Sequence, residues 1–289
     1  MQQAMDWLAL WRELVAAQVE AWHQNAKPDV QEDAWRERAR KYDAGVKARW
    51  AKPDSSRTYV TNLLQAHPDW TALDIGGGTG AWALLMARHA RQVTVVEPSE
   101  AMRAVMAENI AAAWAYNVNV VPARWPEAQV EPHDLVFCAH AMYGQPDWAA
   151  FVNGLLAVAR QRIVLLMRAP LLDGVMAQAA TRAWGHPYDS PNFQVAYNAL
   201  LQMGIFPDVY MEDSGLWRPW TNASLDEAFA EIKRKLHLPD PSEHDAFLRD
   251  LLARHLTPQA DGSVAWPRQT RSALVTWDVQ QSGAKTPLE

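Results

Sequence analysis

The chain has 289 residues, 49% of them hydrophobic, and a formal net charge of −6. That supplies enough apolar material for a sizeable core. The acidic balance, with no long basic run, argues against a nucleic-acid partner. A single cysteine, Cys138, excludes a disulfide framework and a multi-cysteine zinc site.

The opening Met-Gln-Gln-Ala-Met-Asp lacks the charged and apolar regions of a signal peptide, and no apolar run is long enough to span a bilayer. A cytoplasmic protein with no membrane partner is therefore expected, as monomer or homodimer. The final Leu288-Glu289 is given no function.

Helical spacing of Trp7, Leu8, Trp11, Leu14, Val15 and Trp22 predicts a first helix over 5–24, ended by Pro28. An Arg- and Lys-rich stretch from Gln31 to Trp50 predicts a second. Pro53 breaks it, and Ser55-Ser56 are positioned to cap a third over Tyr59–Ala66. Residues 1–68 thus read as a helical arm or lid. From Trp70 the texture changes. Short buried strands are expected at 71–75, 92–96, 118–121, 134–138 and 162–167, alternating with helices at 81–89, 100–113 and 148–159, the middle one capped by Ser99. The alternation predicts an α/β fold, a Rossmann-like mostly parallel sheet with helices on both faces and the last strand antiparallel. Residues 69–289 form its domain, with helical insertions at 171–205 and 213–271. The first has a loop at Gly185-His186-Pro187-Tyr188. Helices at 224–236 and 242–255 and strands at 209–212 and 272–279 complete the chain.

The first strand runs into Asp74-Ile75-Gly76-Gly77-Gly78-Thr79-Gly80 and then a helix. Glycines allow a tight turn and a close ligand, while the helix start offers unpaired N–H groups. The second strand ends in Glu97, an acid suited to a pair of ribose hydroxyls. Any adenosine-containing ligand fits so far, since Gly76, Gly78 and Ala81 also satisfy the dinucleotide pattern. Asp74 two residues ahead of glycines at 76, 78 and 80 resembles the first motif of class I S-adenosylmethionine-dependent methyltransferases. The run Val93–Met102 resembles their second motif, and Asp134–His140 their fourth strand.

The resemblance covers roughly residues 70–168 and implies S-adenosyl-L-methionine as cofactor. It implies that Asp74 assists the methionine amino group, that Gly76, Gly77, Gly78 and Gly80 pass beneath the cofactor, and that Glu97 with Pro98 holds the ribose. Met102 would pack on adenine and Ala139 would sit at the cofactor's edge. In similar enzymes an aromatic residue at the place of Tyr42 closes over the methionine end. The family's acid after the third strand is missing from Val121–Glu127, so Trp125 is expected to stack near adenine instead.

His140, just past the fourth strand, is the leading candidate for acid–base work, with Tyr143 second. No metal is expected; His186 and His140 lack a ligand spacing. The fifteen tryptophans allow an aromatic-lined pocket. The expected activity is methylation of an unidentified small molecule. Aminocarboxypropyl transfer from the same cofactor, a nicotinamide-dependent oxidoreductase and a scaffold that lost its chemistry stand as alternatives.

Overall fold

A computed structural model describes residues 5–25, 35–212 and 220–279. The main sheet holds β1 (Thr71–Ile75), β2 (Gln92–Val96), β3 (Val118–Val121), β4 (His133–Ala139), β5 (Ala159–Pro170), β6 (Asp208–Glu212) and β10 (Thr270–Asp278). Their order is β3-β2-β1-β4-β5-β10-β6. β1 pairs in parallel with β2 and β4, and β10 runs antiparallel to both β5 and β6. The doubly wound sheet with its reversed late strand is the architecture expected. β1 is buried along its whole length because helices cover both faces.

On one face lie α3 (Ser55–Ala66), α4 (Ala81–Ala87) and α5 (Glu100–Ala113), whose Val60, Leu64, Ala83, Met86 and Met106 pack with Leu135, Phe137 and Val164. On the other lie α6 (Trp148–Val158) and α8 (Phe193–Gln202), joined by α1 (Trp7–Asn25). Leu10, Trp11, Leu14 and Val15 bury the inner stripe of α1. The Trp11 indole also donates to the Gln145 carbonyl (2.7 Å). α1 is thus part of the core, whereas α2 (Ala39–Trp50) lies across the carboxyl edge of the sheet, tied to α5. Arg40 forks onto Glu108 (3.0 and 2.8 Å), and Asn109 donates to Asp43 and to the Thr79 carbonyl (2.9 Å each).

Several boundaries differ from expectation. α2 starts at Ala39, after a turn over 35–38, and the part expected at 31–34 lies outside the described residues. Arg38 offers no side-chain cap and only Ala39 and Val46 are buried, so neither capping nor an apolar stripe extends the helix upstream. α3 begins at Ser55, four residues early. Asp54, not the serines, is its cap: one carboxylate oxygen accepts from the Ser56 and Arg57 N–H groups (2.8 and 3.2 Å). β5 extends well past 162–167 because β10 pairs with it over nine positions.

The 171–205 stretch splits into α7 (Val175–Trp184) and α8. Beyond β6 come α9 (Leu225–Lys235), α10 (Asp245–His255) and a small sheet of β7 (Thr221–Asn222), β8 (Thr257–Pro258) and β9 (Val264–Ala265) that the sequence did not announce. Residues 213–219 and 280–289 of the expected insertion and terminus lie outside the described residues. Among the described residues no helix is long and apolar enough to cross a membrane.

Candidate active site

The carboxyl ends of β1 and β4 diverge toward neighbours on opposite sides, and a cavity of about 470 Å³ opens there. Its floor is Asp74, Gly76, Gly77 and Thr79, its side is Ala139 and His140, and its far end is Leu166 and Ser272. α2 roofs it with Tyr42, Gly45, Val46 and Arg49, which share one helical face at i, i+3, i+4 and i+7. Trp50 and Trp82 supply an aromatic wall, their rings meeting edge-on at 5.2 Å.

The floor is built so that a ligand meets backbone. Gly76 has φ +70°, and a Cβ there would sit 2.2 Å from the Ala141 Cβ. Gly78 has φ +56° and faces the Tyr42 ring, 3.6 Å from where a Cβ would lie. The loop is held from behind: Gly78 N–H donates to Glu97 Oε2 (2.8 Å) and Ser99 N–H to Glu97 Oε1 (2.9 Å). Each Glu97 oxygen has accepted one bond, and a carboxylate oxygen can accept more than one. Ser99 caps α5 as expected, its hydroxyl accepting from Met102 N–H (3.1 Å).

Asp74 is the electrostatic outlier. It is 1% exposed, and its Oδ2 is buried without a hydrogen-bond partner. Burial, and then the charge of Glu97, push its carboxyl up to about 7. Thr79 Oγ1 is also buried and makes no hydrogen bond within geometric limits, although Asp43 is close enough for the hydroxyl to help hold that carboxyl low. A buried acceptor without a partner in a glycine-floored cavity fits the amino-acid end of an S-adenosylmethionine molecule.

His140 has φ +58°, and its N–H donates to the Leu166 carbonyl (2.9 Å). Tyr143, in a 3-10 turn at Met142–Gly144, lies behind it, not on the cavity wall. The Tyr143 hydroxyl accepts from Arg168 N–H (2.5 Å), which directs its own proton to His140 Nδ1 (3.1 Å). With the hydroxyl proton donated to Nδ1, the neutral imidazole would carry its own proton on Nε2. Burial, then the charges of Arg168 and Arg49, push His140 down to about 3, and burial pushes the Tyr143 phenol up.

The other expected positions spread around the loop. Gly80 is the N-cap of α4 at φ +88°. Pro98 is exposed, and its carbonyl accepts from Arg103 (2.6 Å). Met102 is buried with Ala39 and Val105, beneath the start of α2. Trp125 is not brought to the cavity: it is 5% exposed and its ring packs on the opposite face against Gly154 of α6. His186 makes tilted ring contacts with Trp184 and Tyr188, also away from the cavity. Arg49, Trp50, Thr79, Trp82, Leu166 and Ser272 were missed. The sequence signal for Arg49 was its helical spacing from Tyr42, usable only once α2 is known to roof the site.

A cavity over a glycine loop at the sheet's switch point, with an open buried acid, defines a Rossmann-like enzyme site for an adenosine-type cofactor. Residues 72–162 match the family model described as a methyltransferase domain. The chain thus carries a methyltransferase domain over residues 72–162, which favours S-adenosylmethionine over the nicotinamide reading. Among solved structures, a methyltransferase candidate from Bacillus halodurans C-125 shares the fold at TM-score 0.52, with 14% identity over 78% of this chain and 99% of that one. YcgJ from Bacillus subtilis gives 0.48, with 17% identity over 78% and 97%. Magnesium protoporphyrin IX methyltransferase from Synechocystis PCC 6803, solved with bound S-adenosylmethionine, gives 0.43, with 14% identity over 96% and 99%. No curated protein matches the chain in sequence.

Proposed function

We propose that the protein methylates a small molecule held inside the roofed cavity, between His140 and the Leu166–Ser272 end. The observation that carries this reading is the roof itself: α2 crosses the carboxyl edge and leaves about 470 Å³, room for a compact ligand and none for a protein surface or a duplex. Bound S-adenosylmethionine supplies a methyl group on a sulfonium, and transfer to an acceptor atom breaks the carbon–sulfur bond, leaves its electron pair on sulfur and forms the new bond from an acceptor lone pair.

The residues bind, orient and exclude water. Asp74 takes the ammonium, Gly76, Gly77 and Gly78 let the cofactor lie on backbone, and Glu97 receives the ribose while bracing the loop. Met102 serves the adenine side. Tyr42 closes the roof. His140 acts as a neutral Nε2–H donor to the acceptor, with Tyr143 as the positioning residue that fixes its tautomer. A proton that the acceptor loses is taken by solvent and not by the imidazole, which is too weak a base at neutral pH.

Two measurements test this. Methyl-labelled S-adenosylmethionine is incubated with the protein and a cell extract divided into small-molecule and macromolecular fractions. Label in the first supports the reading, and label confined to the second overturns it. For His140, the ring resonances are expected not to titrate between about pH 5 and 8. A midpoint inside that window would restore the imidazole as a base.

A further inference from the structure

Arg49 is left over by everything described above. Among the described residues it is the one cation lining the cavity, and it makes no side-chain hydrogen bond or ion pair. The acids at the wall do not answer it. Asp54 is consumed by capping α3 and lies beside Arg57 (3.8 Å), and Asp74, though in the floor, is only 1% exposed and makes no ion pair with Arg49. Other cations nearby are spent. Arg57 lies over the Trp50 ring (4.9 Å) and donates to the Trp50 carbonyl (2.8 Å). Arg168 lies over Tyr143 (4.5 Å) and donates to the Pro191 carbonyl (3.0 Å). Arg49 is in the last turn of α2 and exposed, and it lines the same cavity as Trp50 and Trp82. Its charge reaches both sides of the site: it opposes the burial that raises the Tyr42 hydroxyl, and it adds to the burial and the Arg168 charge that lower His140.

Resting on the small-molecule reading above, we propose that the methyl acceptor carries a carboxylate on a flat apolar body, and that Arg49 binds the carboxylate while Trp50 and Trp82 flank the body. A guanidinium is suited to this task, since its fork matches a carboxylate and its plane tolerates aromatic neighbours. The cofactor's own carboxylate is the rival source. It is the weaker one, because Asp74 Oδ2, buried without a partner, already offers the amino-acid end a partner on the floor, while Arg49 is exposed on the roof helix. Arg49 is exposed and unpaired, so its replacement removes no contact of the fold.

The probes are benzoate, phenylacetate and 3-phenylpropionate, each beside its primary amide, titrated calorimetrically into protein saturated with S-adenosylhomocysteine. At least one acid is expected to bind more tightly than its amide. Arg49→Gln is expected to weaken that acid about tenfold or more, Arg49→Lys less, with S-adenosylhomocysteine affinity kept within about twofold. An Arg49→Gln protein that loses S-adenosylhomocysteine affinity to the same degree overturns the proposal and assigns Arg49 to the cofactor. Amides binding as well as acids, in wild type and variant alike, overturn it while leaving the small-molecule reading intact. No binding by any acid or amide also overturns it, while the small-molecule reading stands or falls on where the methyl label goes.

Discussion

Gly76→Ala is expected to cost the protein both stability and cofactor. The new Cβ would lie 2.2 Å from the Ala141 Cβ, and a φ of +70° is unfavourable for any residue with a Cβ. The obstructing atom is a methyl on the backbone beside His140, not the end of a flexible chain, so the glycine loop or the β4 tip must move. Left-handed strain and overpacking together amount to roughly 3 kcal/mol. Affinity for S-adenosylhomocysteine should fall by about two orders of magnitude, because the displaced segment is the floor itself. Gly78→Ala is the control: its Cβ would meet only the Tyr42 ring at 3.6 Å, an ordinary contact, and only the strain remains. Thermal melts and calorimetry of the two variants decide the matter. If both lose the same stability and affinity, contact between loop and β4 tip does not limit the site.

The second expected result is a pH dependence set by Asp74. Its folded carboxyl sits at about 7, against 3.8 for the free side chain, through burial first and the Glu97 charge second. A raised acid pKa means that the folded protein holds a proton the unfolded chain has given up. Asp74 therefore works against stability increasingly as pH rises from about 4 to 7, at no more than about 1.4 kcal/mol per pH unit, and its cost is constant above. Cofactor binding runs the other way, because the ammonium prefers the ionised carboxylate. Affinity for S-adenosylhomocysteine is expected to rise from pH 6 to 8, relative to the ligand's own titration. Asp74→Asn should flatten that rise, weaken binding at pH 8 about tenfold or more, and raise the melting temperature of the ligand-free protein at the same pH. A variant that binds as well as wild type at pH 8 would remove Asp74 from cofactor recognition. The wild-type site thus carries a stability cost that the ligand relieves.

How much of this was readable in advance depended on whether the cause was local. β1, β2 and β3 were bounded correctly because each is a short apolar run between turn formers, and Ser99 capped α5 because capping is a three-residue matter. Asp74, the glycines and Glu97 were singled out by spelling, and their gathering at one end of the sheet follows from the strand order. The failures are tertiary. β5 is long because β10 lies beside it, and two-residue strands leave no pattern. Trp125 stands a few residues beyond β3 in sequence, yet its ring turns to α6. Arg49 reads as one more charge on a solvated helix until α2 is seen lying over the cavity. Two of the fifteen tryptophans, Trp50 and Trp82, do line that space, as composition allowed but did not specify.

The place of β10 bears on how the enzyme is made. It is the last described strand to leave the ribosome, yet it enters the sheet between β5 and β6, and β6 pairs with no other strand. The cofactor floor and His140 are synthesised well over a hundred residues earlier, while Ser272, at the far end of the cavity, arrives with β10 itself. The ladders between β10 and its neighbours span long separations and form late. A nascent chain can therefore assemble the half of the site that holds cofactor before the half that receives the acceptor exists. The end proposed for the acceptor is complete only once β10 has joined the sheet.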